Sequence, residues 1–559
     1  MAAPRSARTP RSLRARRSLR AVGAASAGVL LAALAACTTG PAESTSSAEA
    51  GGTLVYASGD GEPTCLDPHV GGNYPQALIA GQYLESLVSL DDDREVIPWL
   101  ATEWTVSDDG LTWDFTLRDD VEFTDGTPFD AEAVKVNVEH LQDPETQSST
   151  GYLAVGKVAE VEVVSDTVVR FHLSAPDSAL LESLAQPWTA IQSPAGIARG
   201  MEENCQAPIG TGPFVVDEWV PQDHISLVRN DDYTGGPADR GRDGAALLDG
   251  IEWRFIPDAA SRYAALQAGE VDVIDNAQPD TLAQAEDTGT LVEIDAPRPG
   301  ASNRLELNSG QAPFDDERVR EAFIRAVDVN DGIDSLFFGT AQRSYSVLSS
   351  VEPTAYSDDA LFETDLDAAN ALLDEAGWTE RGADGVRSKA GVPLVVRFPV
   401  STNQSIPAEQ SLFEQVQATA GAAGFDVRIE PLDLSGWYGA LFANEYEVVS
   451  APYTKIGPDV LRILYHSDSI VPAPSGYFAN LAQLSDPELD TLLTTAASES
   501  DADARAALYL QAQELILGGF YALPLYDQQN HFLHAPEVEG IRAMPTVSTL
   551  WFADATLAG

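Results

Sequence analysis

Residues 393–430 contain the pattern that most restricts the fold. Residues 393–400 and 425–430 have the composition of strands, and residues 408–423 between them predict a helix. Two strands joined through a helix lie side by side as parallel neighbours in one sheet. The rest of the chain also alternates strand-like and helix-like segments without a short repeat. We therefore expect an α/β protein.

Periodicity predicts further elements. Apolar and polar residues alternate at residues 111–118, which indicates a half-buried strand. Two similar runs at residues 161–173 predict a β-hairpin. Apolar residues recur at helical spacing in residues 315–328, where Asp315 is the expected N-cap. A second helix is expected at residues 367–376.

The N-terminus has the features of an export signal. Residues 1–20 carry seven arginines and no acid, and an apolar run follows at residues 21–36. That run is shorter than the roughly twenty residues of a membrane-spanning helix. We therefore expect residues 1–36 to be a removable signal peptide. Residues 34–37 read Leu-Ala-Ala-Cys and resemble the bacterial lipobox, which predicts a lipid anchor on Cys37.

The sequence leaves both the type of signal peptide and the export route open. An ordinary secretory signal followed by a chance cysteine is the alternative to a lipoprotein signal, and the pair Arg16-Arg17 leaves Sec and twin-arginine export both possible. Residues 37–52 are rich in Ser, Thr, Ala and Gly and are predicted to be a flexible tether. We expect a protein attached to the outer face of the cell membrane, in the periplasmic or cell-surface space.

The chain is strongly acidic, with a formal net charge of −53 at pH 7. Such a charge disfavours partners that are themselves anionic, so we expect no nucleic-acid partner and no binding to anionic lipid surfaces. Net charge does not locate a binding site, and it therefore names no ligand.

Besides Cys37, the chain contains only two cysteines, Cys65 and Cys205. Outside the cytoplasm two such thiols are expected to pair, so we predict a disulfide between them. It would close a loop of about 140 residues and tie the N-terminal strand to the segment before Gly210.

The sequence lacks the common motifs of catalysis and metal binding. It has no His-Glu-x-x-His, no Gly-x-Ser-x-Gly and no phosphate-binding Gly-Lys-Ser/Thr loop. The seven histidines are scattered, and His531 and His534 have no neighbouring cluster of cysteine or acidic ligands. We therefore expect no enzymatic activity, no cofactor and no metal site.

Four blocks of sequence resemble the family 5 extracellular solute-binding proteins, which include dipeptide, oligopeptide and nickel binders. The most specific block covers residues 101–134 and contains Glu-Trp-Thr-Val-Ser-Asp-Asp-Gly-Leu-Thr-Trp-Asp-Phe. The others lie at residues 208–233, 264–274 and 308–328, in the order and spacing of the family. The resemblance extends roughly from Gly52 to the C-terminus.

The resemblance implies an α/β, two-lobed, periplasmic-binding-protein-like clamp of the class II type. Lobe one would comprise residues 53–299, with an extra subdomain at about residues 87–204. Lobe two would comprise residues 300–520, and residues 521–559 would return to lobe one. Closure of such a clamp sequesters the solute between the lobes.

The resemblance also implies a function. We expect the substrate-binding lipoprotein of an ATP-binding-cassette importer, a monomer that captures oligopeptides or a related small solute and delivers them to the membrane permease. Uptake of a non-peptide anionic solute or a nickel chelate by the same fold is one alternative. A membrane-anchored solute sensor that serves a signalling partner is another.

Peptide-binding members grip the amino terminus of the ligand with an aspartate in lobe two. The corresponding stretch here, residues 451–459, has Lys455 and no acid at the expected place, so Lys455 and Arg304 become candidate partners of an anionic ligand group. Aromatic and amide side chains in predicted loops suit a cavity that stacks on varied groups. The candidate ligand-binding residues are Asn73, Tyr74, Trp188, Arg304, Asn308, Trp437, Tyr453, Lys455, Tyr477 and Asn480.

Overall fold

The structure is a computed structural model that describes residues 51–239, 244–402, 404–450, 452–473 and 476–558. The predicted signal peptide, Cys37 and nearly all of the predicted tether lie outside these residues. The described residues belong to one compact unit, Ser47–Gly559. Within them, no helix is both long and apolar enough to cross a bilayer.

Lobe one is built on a seven-stranded mixed sheet. Its central strand, Thr53–Ser58, pairs in parallel with Gly250–Phe255 on one side and with Val273–Ile274 on the other. The other pairs are antiparallel, and the C-terminal strand Gln529–His534 is one of the seven. The spatial order is Val292–Pro297, Gln529–His534, Val273–Ile274, Thr53–Ser58, Gly250–Phe255, His224–Arg229 and Phe214–Val220.

The extra subdomain of lobe one is an antiparallel sheet covered by a helix. The predicted strand at residues 111–118 is Thr112–Leu117, and the predicted hairpin is formed by Val158–Ser165 and Val168–Leu173. Both predictions are confirmed. The apolar face of this sheet packs on the helix Ala131–Gln142, which Asp130 caps by accepting a hydrogen bond from Ala133 N. The strand order is Ala101–Val106, Thr112–Leu117, Val168–Leu173 and Val158–Ser165.

Lobe two contains the predicted βαβ unit. Val395–Ser401 and Asp426–Leu432 pair in parallel, and the helix Pro407–Ala423 connects them. The parallel pairing predicted from this connection is confirmed. A second sheet of three antiparallel strands packs beside it, in the order Val448–Ser450, Asn303–Leu307 and Ala522–Tyr526.

One predicted helix begins later than expected. The helix predicted at residues 315–328 is Glu317–Ala326, and its N-cap is Asp316, whose side chain accepts a hydrogen bond from Arg318 N. The prediction that Asp315 is the N-cap is wrong, because Asp315 lies one residue earlier, in the preceding turn, where its backbone N–H donates to Gln311 O. The helix predicted at residues 367–376 is confirmed within one residue as Leu366–Glu375.

Two segments cross between the lobes side by side. The first joins Val292–Pro297 to Asn303–Leu307, and the second joins Ala522–Tyr526 to Gln529–His534. The strands are paired on both sides of the crossing, and Arg298 N donates to Gln528 O at 2.9 Å. Because Ala522–Tyr526 pairs with a strand of lobe two, we place the return to lobe one after Tyr526 and not at residue 521.

The two lobes and the extra subdomain are each packed around a large apolar core. One lies in lobe two, one in the extra subdomain and one between the main sheet of lobe one and its helices. The disulfide between Cys65 and Cys205 is present and joins residues 140 positions apart. It ties the segment after the first strand to the helix Met201–Gln206, as predicted from the cysteine count.

Shorter or peripheral elements complete the fold. The remaining α-helices are Tyr74–Ala80, Thr150–Ala154, Leu180–Leu184, Pro194–Ile197, Met201–Gln206, Ala259–Ala268, Pro279–Thr288, Asn330–Leu336, Leu434–Phe442, Val460–Tyr465, Pro487–Ala496 and Ala502–Gly518. Single 3-10 turns lie at Pro144–Thr146, Pro187–Thr189, Asp359–Phe362 and Ser467–Ile470. The remaining strands are Val88–Leu90, Val96–Pro98, Glu380–Arg381, Arg387–Lys389, Val392–Pro393, Val538–Glu539, Arg542–Ala543, Leu550–Trp551 and Thr556–Leu557.

Candidate functional site

A cavity of about 1470 Å³ lies between the two lobes. Its wall in lobe one is formed by residues that follow the three mutually parallel strands, at residues 59–64, 257–260 and 276–281. The carboxyl ends of parallel strands meet at one edge of a sheet, which is where open α/β sheets bind ligands. The topology of the sheet in lobe one therefore explains why the cavity lies at this edge.

The charges of the cavity wall are distributed unevenly. Among the described residues, those contributed by lobe two include no Asp, Glu, Lys, Arg or His and instead include Phe338, Tyr438, Phe442, Tyr453 and Tyr477. Lobe two therefore offers apolar contact and stacking. All charged residues of the described lining come from lobe one or its crossing segment, and they are Asp60, Glu62, Asp258, Arg262, Asp280 and Arg298.

Arg298 holds a positive charge at the cavity wall. Its guanidinium lies 3.9 Å above the centre of the Tyr74 ring, and its Nε donates to Thr454 Oγ1 at 2.8 Å. The Tyr74 hydroxyl is fixed in turn by Asn530 and by the carbonyl oxygen of Ser548. Burial lowers the pKa of Arg298 from its ordinary value, although the guanidinium stays protonated at any physiological pH.

Arg262 is the other cation among the described lining residues, but its N–H groups are already hydrogen-bonded within the protein. Its N–H groups donate to four backbone carbonyl oxygens at 2.7 to 3.1 Å, on residues 256, 257, 275 and 276. Its Nε also lies 4.0 Å from the carboxylate of Asp275. Arg262 thus joins two of the loops that form the lobe-one wall and has little capacity left for a ligand.

Asp60 is a carboxylate of the cavity wall whose charged form is disfavoured by burial. Burial, together with the charge of nearby Asp275, raises the pKa of Asp60 to about 7. A hydrogen bond from Asn276 Nδ2 at 2.9 Å and the charge of Arg298 oppose the increase. A cationic group of a ligand placed beside Asp60 would favour its ionised form.

Comparison of the sequence with models of protein families identifies the family of this chain. The model described as bacterial extracellular solute-binding proteins, family 5 Middle, matches residues 95–470. This chain belongs to that family. The resemblance predicted from the sequence blocks is therefore confirmed, and the family is one of binding proteins.

Relatives of this family 5 protein match it along most of its length. The nickel-binding periplasmic protein of Escherichia coli K12 is 29% identical over 503 residues, which cover 87% of this chain and 91% of the relative. The glutathione-binding protein GsiB of the same strain is 28% identical over 507 residues, covering 88% of this chain and 92% of the relative.

Solved structures support the two-lobed clamp. NikA from Brucella suis, in complex with Fe(III)-EDTA, has a TM-score of 0.77 at 27% identity and covers 90% of this chain and 100% of NikA. DppA from Helicobacter pylori, in complex with the peptide STSA, has a TM-score of 0.78 at 24% identity and covers 91% and 99% of the two chains. The second likeness shows the fold alone.

Half of the ligand-binding residues predicted for this family 5 protein lie at the cavity. Asn73 caps the helix Tyr74–Ala80, because its side chain accepts from Gln76 N while Gln76 Oε1 accepts from Asn73 N. Trp188 Nε1 donates to Asn73 O at 3.1 Å and so fixes the start of the same helix. The predicted residues that line the cavity are Asn73, Tyr74, Trp188, Tyr453 and Tyr477.

The two predicted anion partners do not line the cavity. Arg304 is 1% exposed, and its Nε donates to Glu306 Oε1 at 2.6 Å and to the Tyr465 hydroxyl at 3.0 Å. Lys455 is 2% exposed, and its Nζ lies 3.7 Å from Asp459 Oδ2. Both cations are paired within the protein, so the structure gives no support to a ligand contact by either.

Three more predicted residues have structural roles away from the cavity. Trp437 lies in an apolar cluster with Leu441. Asn308 Nδ2 donates to Asn444 Oδ1 at 2.8 Å, and Asn480 Nδ2 donates to the carbonyl oxygen of residue 484 at 2.8 Å. These amides satisfy buried polar groups of lobe two.

Asp67, His69 and His140 form a cluster of metal-ligand type, with one candidate atom of each within 4.8 Å of the others. Asp67 already accepts hydrogen bonds from His69 N, His140 Nε2, Gln192 Nε2 and Asn204 Nδ2. Burial raises the pKa of Asp67, but its hydrogen bonds and electrostatic interactions with His140 and His69 outweigh burial and lower the pKa to about 2. The saturated carboxylate favours a structural centre that fixes the cavity loop beside Cys65.

Sequence reasoning missed Arg298, Asp60, Tyr438 and Phe442. Arg298 precedes Gly300, the residue at which the lobe boundary was predicted, and a cation in a crossing segment was therefore an available signal. Asp60 follows the first predicted strand, where ligand loops of α/β sheets begin. Tyr438 and Phe442 lie on one face of a helix near Trp437, and sequence alone does not separate the cavity-facing side from the buried side.

Proposed function

We propose that this protein captures a short peptide, or a related solute derived from amino acids, in the cavity between its lobes and delivers it to the permease of an ATP-binding-cassette importer. The observation that carries the proposal is the cavity itself, about 1470 Å³ in volume, with charged groups on one wall and aromatic side chains on the other. Cavities for drug-sized ligands measure roughly 300–1,000 Å³, so this one has room for several residues of a peptide.

The relatives support this range of ligands. One is named for binding glutathione and another for binding nickel, and one solved structure of the same fold holds a tetrapeptide. Glutathione is a short peptide, whereas a nickel chelate is the alternative that these names favour. The described lining of the cavity includes Asp60 and Arg298 and no histidine, so it offers charged groups to a zwitterionic solute but no imidazole to a metal ion.

The proposal includes attachment to the outer face of the membrane through a lipid on Cys37. It rests on residues 34–37 and on the preceding apolar run. Incorporation of labelled palmitate into the wild-type protein and its loss in Cys37→Ser are the expected results. Equal labelling of both proteins would contradict the anchor without affecting the proposed ligand site.

A thermal-shift screen of the purified protein tests solute capture. The panel contains di- to pentapeptides, free amino acids, sugars and nickel chelates. A ligand at a hundredfold excess over its dissociation constant stabilises the folded state by about 2.7 kcal/mol. We expect stabilisation by peptides. A shift with nickel chelates alone would contradict the peptide proposal.

Two glycine substitutions localise the binding. Gly439 lines the cavity and has open space around the position of a Cβ, so Gly439→Trp is expected to place an indole in the cavity, obstruct ligand binding and abolish the shift. Gly421 also has open space, but it lies on a helix face outside the cavity lining. Gly421→Trp is the matched control and should keep the ligand-induced shift. Retention of the shift in both variants would place the ligand elsewhere.

A further inference from the structure

Arg298 lies on the first crossing segment, between a strand of lobe one and a strand of lobe two. Its backbone N–H donates to Gln528 O of the second crossing segment at 2.9 Å. The side chain of Arg298 therefore starts from a point where the two crossing segments are hydrogen-bonded to each other. Its position is therefore tied to the relative placement of the lobes.

The guanidinium of Arg298 contacts both lobes. Tyr74, from lobe one, presents its ring 3.9 Å below the guanidinium carbon. Thr454, from lobe two, accepts a hydrogen bond from Nε at 2.8 Å. These two contacts orient the planar guanidinium and leave the four N–H groups on its Nη atoms without a protein acceptor among the described residues.

The positive charge of Arg298 has no ion-pair partner in the described part of the chain. No carboxylate oxygen lies within 4.0 Å of its nitrogens there, although arginines elsewhere, such as Arg304 and Arg397, pair at 2.6 Å. A partly buried cation without a counter-charge is costly unless an anion joins it. The open face of Arg298 is turned to the cavity, of which it is a lining residue.

Asp60 is the carboxylate that could compete for Arg298. The two side chains are near enough to affect each other's pKa, but they form no ion pair. Asn276 Nδ2 holds Asp60 at 2.9 Å, on the side of the loop that carries Asp275. A ligand carboxylate can therefore reach Arg298 without displacing a contact within the protein.

We propose that Arg298 is the anchor for a carboxylate of the ligand and that Thr454 of lobe two sets the anchor in place, so that binding the carboxylate favours the closed arrangement of the lobes. The inference rests on the proposed capture of a peptide-like solute. A ligand shifts a conformational equilibrium only through its different affinity for the two states. Thr454 is bridged to Gly300 of the same crossing segment, so its hydrogen bond orients Arg298 at the hinge. Contacts of one ligand with both walls supply the difference in affinity, because Arg298 holds the carboxylate while the aromatic residues of lobe two contact the rest of the ligand.

The test compares two random tripeptide libraries, one with free carboxyl termini and one with carboxyl-terminal amides. Binding to the full protein is measured by thermal shift and by native mass spectrometry. Hydrogen bonds to charged groups contribute roughly 1.5–3 kcal/mol, so the free acids should bind wild-type protein about tenfold to hundredfold more tightly than the amides. Arg298→Gln should bind both libraries equally, at the level of the amides.

Three further variants separate anchoring from folding. Arg298→Lys keeps the charge and should recover part of the preference for free acids. Thr454→Val removes the hydrogen-bond acceptor at nearly constant volume and should weaken binding of the acids but not of the amides. Arg428→Gln, on an exposed arginine paired with Asp426 outside the cavity, is the matched control and should behave as wild type.

The outcomes distinguish the inference from the proposed function. Equal binding of acids and amides by wild-type protein would overturn the anchor and leave peptide capture intact. Unchanged discrimination in Arg298→Gln would also overturn it. Binding of neither library by wild-type protein would overturn peptide capture and the anchor with it.

Discussion

Replacing Glu409 by glutamine should remove one component of the pH dependence of folding. Glu409 is 4% exposed at the start of the helix Pro407–Ala423. Burial raises the pKa of its carboxyl group from 4.5 to about 7, although hydrogen bonds from Asn303, Tyr526 and Ser405 oppose the increase. A raised pKa means that the folded protein keeps a proton that the unfolded chain loses above pH 4.5.

The sign and magnitude follow from this difference. The contribution of Glu409 to stability is fully present below pH 4.5 and is lost as the pH rises to about 7. Moving a carboxyl pKa from 4.5 to about 7 corresponds to about 3 kcal/mol, at roughly 1.4 kcal/mol per pH unit. About 2.5 kcal/mol of this change falls between pH 5 and pH 8.

Urea unfolding at pH 5, 6, 7 and 8, followed by tryptophan fluorescence, measures the effect. The glutamine oxygen can still accept the hydrogen bond from Asn303, so Glu409→Gln should gain about 2.5 kcal/mol relative to wild type between pH 5 and pH 8. Glu414→Gln is the control, because Glu414 lies exposed on the same helix. A difference between Glu409→Gln and wild type that stays constant with pH would contradict a raised pKa of Glu409 in the folded protein.

Two other substitutions test how the cavity is supported. Removing the disulfide in Cys65→Ser/Cys205→Ser should lower the free energy of unfolding by about 2–5 kcal/mol, and a loss under 1 kcal/mol in denaturant titrations would contradict a structural role. Gly300→Ala should lower the melting temperature more than Gly126→Ala: both glycines have positive φ, but only at Gly300 would a Cβ lie 2.5 Å from the backbone oxygen of Lys455. Equal losses in the two alanine variants would mean that this close approach of the crossing segment does not matter.

Local patterns were sufficient to predict many elements of the fold. Alternation predicted the strand Thr112–Leu117, and the strand–helix–strand order predicted the parallel pair Val395–Ser401 and Asp426–Leu432. These predictions succeed because side chains buried on one face of a helix or strand recur along the sequence with the period of that helix or strand. Family resemblance supplied the two lobes, which periodicity alone could not, since the strand Gln529–His534 joins a sheet whose central strand lies at the other end of the chain.

The candidate site was less predictable because charge pairing decides which cations are free. Two spacings in the sequence do indicate that these cations are paired within the protein. Glu306 follows Arg304 by two positions on the same face of a strand, and Asp459 follows Lys455 by four positions. Arg298 was missed because its loop has no periodicity. Its contacts with Tyr74 and Thr454 join segments that are far apart in the chain.

The distance between the lobes, measured with and without ligand, is the direct test of solute capture in the cavity. Spin labels at Glu286→Cys on the helix Pro279–Thr288 and at Glu414→Cys on the helix Pro407–Ala423 occupy exposed positions on two helices that border the cavity from opposite lobes. Double electron–electron resonance should show a shorter and narrower distance distribution on addition of the free-acid tripeptide library. It should show no change in Gly439→Trp. A distribution unaffected by every solute of the panel, or an equal change in Gly439→Trp, would contradict capture between the lobes.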